Sequence, residues 1–285
     1  MFFYLPVFIL FLMFPAITAK GMEDGLDLLI HQIIPSLYPF IFLTTFMKYH
    51  ASRMTHSNFF LFFLGCLSGY PLGAKVIADH HDDVGPLPPQ SLLLICNNPS
   101  PAYMISFVGL HCLGDPSLGL KMYLSLLFGN GVIAFLLLPI LKEPFAVKKS
   151  PPLHTCSLPF PPFEKLMAEV FSVLLNLSGY TLLFSVLSAF IKALPFLPTF
   201  FAGILSGFLE MTTGVENIAA SPVSLQTKVI LITGIISFGG LSVIGQTQNM
   251  IQNTPLSIKK YMADKIAASA VSMTAMYCLF LFNLH

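Results

Sequence analysis

Apolar runs near twenty residues long recur from one end of this chain to the other, and no other feature restricts its fold as much. They cover roughly residues 2–19, 26–48, 58–79, 90–113, 117–142, 166–192, 196–219, 226–250 and 261–283. About 20 apolar residues are needed for a helix to cross a ~30 Å hydrocarbon core, so the pattern predicts an all-α polytopic membrane protein. Composition agrees, because 55% of the 285 residues are hydrophobic and only 9% charged, against about 25% charged in a soluble domain. Fourteen Lys and Arg against 13 Asp and Glu leave no basic field, which argues against a nucleic-acid partner. The first run, "MFFYLPVFILFLMFPAITAK", lacks a basic start and a small-x-small cleavage site. It therefore reads as a membrane helix and not a signal peptide. The five cysteines form no C-x-x-C pair, so no zinc or redox motif is expected.

Residues 143–165, "EPFAVKKSPPLHTCSLPFPPFEK", hold six prolines in 23 residues and read as a cytoplasmic linker. The expected organisation is an N-terminal membrane helix (1–21), a first repeat (22–142), the linker and a second repeat (166–285). "LGCLSGYPLGAK" from Leu64 and "AGILSGFLEMTTG" from Ala202 share Gly-x-Leu-Ser-Gly-aromatic at an offset of 138. "CNNPSPAYMISFVG" lies opposite "SFGGLSVIGQTQN", and "PSLYPFIFLTTF" opposite "LSGYTLLFSVL", in the same order. A plainer account is that Gly65/Gly69 and Gly203/Gly207 are Gly-x-x-x-Gly packing faces between helices.

Paired Gly/Pro-interrupted apolar segments point to a transporter site at the bilayer midplane, because freed backbone groups are tolerated there only inside protein or against a wet cavity. The third and seventh segments are thus expected to be re-entrant hairpins, and the fourth and eighth broken helices. Lysine and arginine positions favour this. With both hairpins re-entrant, ten basic residues, among them Lys48, Arg53, Lys75, Lys142, Lys148, Lys149 and Lys265, fall inside and four outside, as the positive-inside rule prefers. Each half then crosses three times, so the halves are inverted. Lys75 is left with three roles: pairing with an acid, meeting an anionic solute, or snorkelling to the interface.

Polar residues inside the apolar segments name the expected solute-binding set. The first half supplies Ser68, Gly69, Tyr70 and Pro71 at the hairpin, then Asn97, Asn98 and Ser100 at the break. The second half supplies Glu210 and Thr212, then Ser237, Gly239, Gly240, Ser242 and Gln246. A charge near the bilayer centre costs at least ~2.5 kcal/mol and is rarely idle, which singles out Glu210; its plainer role is to lock the hairpin by pairing with a lysine or a helix N-terminus. Asn98 has the plainer role of capping the freed backbone. Opposed half-helix N-termini would present N–H groups to an anionic or carbonyl-bearing solute. The acidic run Asp79 to Asp83 reads as a solvated loop, and no metal or cofactor is expected. His31 and His111 read as structural histidines in apolar surroundings.

"LSGYPLGAKVIAD", "LEMTTGVENI", "SFGGLSVIGQTQNMI" and "PSLYPF" resemble the signatures of the sporulation integral membrane proteins of the YlbJ type, which carry the nucleoside-recognition or Gate domain. The likeness runs from about Gly25 to the C-terminus. It implies a fold related to concentrative nucleoside transporters, with two inverted repeats. It also implies transport of a nucleoside-like or dipicolinate-like solute, acting in sporulation in spore formers. The chain is then expected in the bacterial cytoplasmic membrane or the outer forespore membrane. Its partners would be the lipid bilayer and a small solute, with a homo-oligomer also allowed and the coupling ion unassigned. The absence of G-x-S-x-G and H-E-x-x-H motifs argues against an enzyme. A non-transporting scaffold or morphogenesis protein is the competing class.

Overall fold

A computed structural model of the chain describes residues 4–50, 58–79, 81, 87–137 and 162–282, and these are helical throughout apart from turns. The first half contains α1 (Tyr4–Met13), α2 (Pro15–Leu28), α3 (Ile34–His50), α4 (Asn58–Ser68), α5 (Leu72–Asp79), α6 (Pro89–Cys96) and α7 (Pro116–Leu137). π-Helical stretches Leu29–Ile33 and Tyr103–Cys112 join α2 to α3 and precede α7. The second half contains α8 (Phe163–Lys192), α9 (Thr199–Leu209), α10 (Met211–Ala220), α11 (Leu225–Phe238), α12 (Gly240–Ile251) and α13 (Ile258–Phe282). Most of the linker lies outside the described residues, as do Arg53, Lys142, Lys148 and Lys149.

Four spans among the described residues are long and apolar enough to cross a membrane: α7, α8, α11 with α12, and α13. A bent pair formed by Leu5–Met13 and Pro15–Ile33, meeting at 101°, makes a fifth at most. The first apolar run is therefore not one straight helix. Pro15 opens α2 without a donor N–H, and Phe14 leaves helical geometry at φ −129°, ψ 65°, so the chain turns there.

The remaining apolar runs are short helices that meet at breaks. α4 and α5, of 11 and 8 residues, meet at Gly69–Pro71. α9 and α10, of 11 and 10 residues, meet at Glu210. At 1.5 Å per residue each arm is about 12–17 Å long, roughly half a hydrocarbon core. α9 and α10 fold back on each other: a Cβ at Gly203 would touch Ile218, and one at Gly214 would collide with the Gly207 backbone. The run 90–113 breaks after α6 at "NNPSP", where Asn97 leaves the helix at ψ 84°. The run 226–250 stays one span, interrupted only at Gly239 and Gly240, whose φ values of 89° and 76° are left-handed; glycine adopts them without a Cβ penalty.

Small residues set the long-helix contacts. α2 packs on α8, where a Cβ at Gly21 would strike Val186 Cα at 2.6 Å. α13 packs on α7 with Gly129 against Ser272 and Ala268, and on α11 with Gly234 against Met273. Close backbone approach of this kind is how helices associate where lipid is as apolar as leucine. On the outside, Phe135, Leu175 and Phe282 are more than 70% exposed, a surface suited to acyl chains and not to water.

Candidate functional site

The breaks converge on one central cavity. Gly69 and Tyr70 reach it from the first tip, Glu210 and Thr212 from the second, Ser100 from the break after α6, and Gln246 from α12. Leu177 and Thr181 of α8 and Gln32 of the first π turn complete the polar and apolar walls, with Tyr103 beside Ser100. The space between these side chains is about 530 Å³, but only about 50 Å³ of it admits the centre of a water molecule. At roughly 10–15 Å³ per water, that free space holds a handful of waters.

Glu210 is buried and ends α9 with φ −138°, ψ 114°. One carboxylate oxygen accepts from Thr213 N at 2.8 Å, making Glu210 the N-cap of α10. The side chain thus does two things: it neutralises the positive end of α10 and puts a carboxylate on the cavity wall. Across from it, Tyr103 Oη donates to Thr212 Oγ1 at 3.4 Å, tying the broken fourth segment to the second tip. Gln246 Nε2 donates to Ser242 Oγ at 3.1 Å within α12.

Behind Tyr70 lies a buried polar network that the sequence reading had not assembled. Lys265 of α13 is completely buried, and its Nζ donates to Asn98 Oδ1 at 2.8 Å, Tyr70 Oη at 3.1 Å and Asn130 Oδ1 at 3.3 Å. Its ammonium also sits 5.2 Å and 5.6 Å from the ring centres of Tyr70 and Tyr261, within cation–π range. Tyr70 Oη in turn donates to the carbonyls of Ile236 and Ser237, both at 3.3 Å, at the end of α11. Asn130 Nδ2 donates to Asn98 Oδ1 at 2.8 Å, closing the ring.

Of the predicted set, Gly69, Tyr70, Ser100, Glu210, Thr212 and Gln246 line the cavity. The others stand behind or beside it. Asn98 and the Ser237 carbonyl hold the lysine network, and Gly239, with its left-handed φ of 89°, ends α11 beside Tyr70. Asn97 accepts from Ala74 N and donates to Thr247 Oγ1 and Tyr261 Oη, joining the first tip to α12 and α13. Ser68 Oγ turns back to Leu64 O, Pro71 is buried behind a cis Tyr70–Pro71 bond, and Gly240 packs on Gly207 O and Leu209 O.

Lys265, His31 and His111 differ from expectation, and the open roles of Lys75 are narrowed. Lys265, expected to be cytoplasmic, is instead buried in the packed interior. Lys75 pairs with Asp79 at 3.3 Å and Glu169 at 3.5 Å, so of its three roles the acid pair is the one seen. His31 and His111 are not buried among apolar groups; both face a second, open cavity of about 960 Å³ that shares Gln32 and Tyr103 with the central one. His80, Asp82 and Asp83 of the acidic run lie outside the described residues. An intramembrane lysine and an asparagine in "LFGNGVIAF" are signals that would have pointed to Lys265 and Asn130.

No family model matches the chain, and no solved structure does. Among curated proteins it is similar to the sporulation integral membrane protein YlbJ of Bacillus subtilis (strain 168), 22% identical over 306 residues that cover 88% of this chain and 75% of that protein. That match and the four long apolar helices make the chain an integral membrane protein. The protein it is similar to is of the type that its motifs resemble.

Proposed function

We propose that the chain is a secondary-type transporter whose solute binds in the central cavity, between the tips at Tyr70 and Glu210. The observation that carries this reading is the cavity itself: two helix breaks from opposite halves of the chain meet there with an intramembrane carboxylate on the wall. In this reading α4–α5 and α9–α10 are re-entrant hairpins of two inverted repeats, as in concentrative nucleoside transporters, and no catalytic step is involved. The half-length arms and the positions of the breaks support it.

Charge favours one solute class. Among the described residues, Glu210 is the one carboxylate on the wall and no lysine, arginine or histidine lines the central cavity; the N-terminus of α10 is already capped by Glu210 itself. A neutral solute rich in hydroxyl or N–H donors, nucleoside-like, would satisfy the carboxylate, the two glutamines and the hydroxyls. An aromatic dicarboxylate would meet uncompensated repulsion, which costs several kcal/mol in a desolvated site.

Proteoliposomes holding the full chain test this with uridine, hypoxanthine and pyridine-2,6-dicarboxylate as probes. Uridine uptake should exceed dicarboxylate uptake, and Glu210→Gln, which keeps a capping oxygen, should lower it at least roughly tenfold, the loss of one charge-assisted hydrogen bond. No uptake of any probe, or uptake indifferent to Glu210→Gln, would return the chain to the scaffold class.

A further inference from the structure

We infer that Lys265 is a proton-operated latch: its ammonium holds the first tip closed against α11, and release of one proton frees the tip. This deepens the transport reading and relies on it for its use, although the latch can be tested without any solute. The argument rests on counting donors and acceptors. An ammonium has three N–H donors and no acceptor, and all three are spent on neutral oxygens, those of Tyr70, Asn98 and Asn130. Because Tyr70 Oη must accept from the lysine, its own proton is directed away, to the Ile236 and Ser237 carbonyls. The protonated lysine therefore sets the direction of the bond that ties the first tip to the end of α11.

Removing one proton changes that arrangement. The N–H bond breaks with its electron pair remaining on Nζ, and the proton is taken up by hydroxide from solvent as pH rises, giving a neutral amine and water. The amine has two donors and a lone pair, so it cannot keep all three bonds as donor. Tyr70 can now donate to Nζ, and in doing so it abandons the α11 carbonyls. Tyr70 lines the central cavity, so the group that switches its bond also stands beside the solute space.

A lysine suits this task where an arginine does not, because only the lysine can lose its charge in a protein. Among the described residues no carboxylate pairs with it. Asp264, its chain neighbour, faces the charge of Lys260. The ionisable groups around it are Tyr70 from the tip, Tyr261 on its own helix, and Cys66 of α4, with Cys96 of α6 and Tyr123 of α7 next to Cys66. α12 brings no ionisable side chain, and Lys228 of α11 is engaged with the Ala219 carbonyl at 2.6 Å.

Hydrogen–deuterium exchange of the full chain in lipid nanodiscs, corrected for intrinsic rates, reads the latch at the tip amides of Leu72 to Lys75. These bond to Gly69 O, Pro71 O and Asn97 Oδ1. In the native chain their protection should fall at least roughly tenfold, the loss of one hydrogen bond to a charged group, between about pD 6 and about pD 10. Lys265→Met, which offers no strong lone pair to draw the Tyr70 proton from the α11 carbonyls, and Lys265→Arg, where it folds, should both keep their protection at every pD. Protection in the native chain that stays flat over this range, or a Lys265→Met profile that follows the native one, would overturn the inference. Neither result depends on whether uridine is carried, so the latch and the transport reading fail separately.

Discussion

Asn97 shows how much one side chain can hold. Its Oδ1 accepts from Ala74 N at 3.2 Å, and its Nδ2 donates to Thr247 Oγ1 at 2.9 Å and Tyr261 Oη at 2.8 Å. All four residues are buried. Asn97→Ala strands one backbone donor and removes the amide donor from the Thr247 and Tyr261 hydroxyls, of which Tyr261 keeps its bond to the carbonyl of residue 97; a buried group left unsatisfied costs about 1–3 kcal/mol. Allowing for relaxation, unfolding in mixed micelles should show a loss of roughly 2–4 kcal/mol; a loss within experimental error of zero would mean the amide only fills space. The sequence made Asn97 visible as an amide beside two prolines in an apolar run. It could not separate Asn97, a structural clasp outside the cavity, from Ser100, three residues on and on the cavity wall. That separation depends on the direction of the chain through the break. Lys265 was hidden for a related reason: near the start of an apolar segment a lysine looks like an interfacial one, and only packing of α13 between α7 and α11 takes it inside.

Helix breaks and helix contacts use the same residue type here, which is why the Gly-x-x-x-Gly motifs allow two accounts of the elements. In the first motif Gly69 takes φ 79° at the tip, while Gly65 lies where a Cβ would meet Cys96 Cβ at 2.7 Å. Turning and packing thus divide one motif between them. Gly73 is the stricter contact, because its Cβ would collide with the Cys96 carbonyl oxygen and Asn97 Cα, both backbone atoms. Gly131 of α7 has open space around it. Gly73→Ala should therefore cost about 1–3 kcal/mol through forced backbone movement, while Gly131→Ala should be neutral or gain up to about 1 kcal/mol in helix propensity. Equal effects of the two substitutions on unfolding would mean that α5 does not sit against the end of α6 in this way. Periodicity and length located the apolar elements; the π-helical stretches at 29–33 and 103–112 left no mark in it, because they arise from how neighbouring segments seat against the chain. Gly/Pro punctuation likewise marked the breaks at 69–71, 97–101 and 239–240, but the turn at Phe14 was hidden by the continuous apolar run around it.

At the scale of the whole molecule the two cavities matter more than either alone. The more open one is walled by His31, Ser106 and His111 among others, and it meets the narrower central one at Gln32 and Tyr103. Under the proposed transport function, the open cleft would be the entrance and the central cavity the inner site. Tyr103 forms the partition, held by its bond to Thr212 on the second tip and by its ring against Phe107, 5.2 Å away between centroids. Opening the partition therefore requires that one tip release one hydroxyl bond, a small cost of about 0.5–1.5 kcal/mol. Thiols introduced at Ser106 and Ser100, read by peptide mass after reaction with a water-soluble maleimide, sample the two sides of the partition. Ser106→Cys should react readily and Ser100→Cys at least roughly tenfold more slowly. Adding Tyr103→Ala to Ser100→Cys should remove most of that difference, while Tyr103→Phe, which deletes only the hydroxyl bond, should recover up to about tenfold of it. Should Ser100→Cys react as fast as Ser106→Cys with Tyr103 intact, the central cavity is already open to that face, and the gate must be sought at the tips instead.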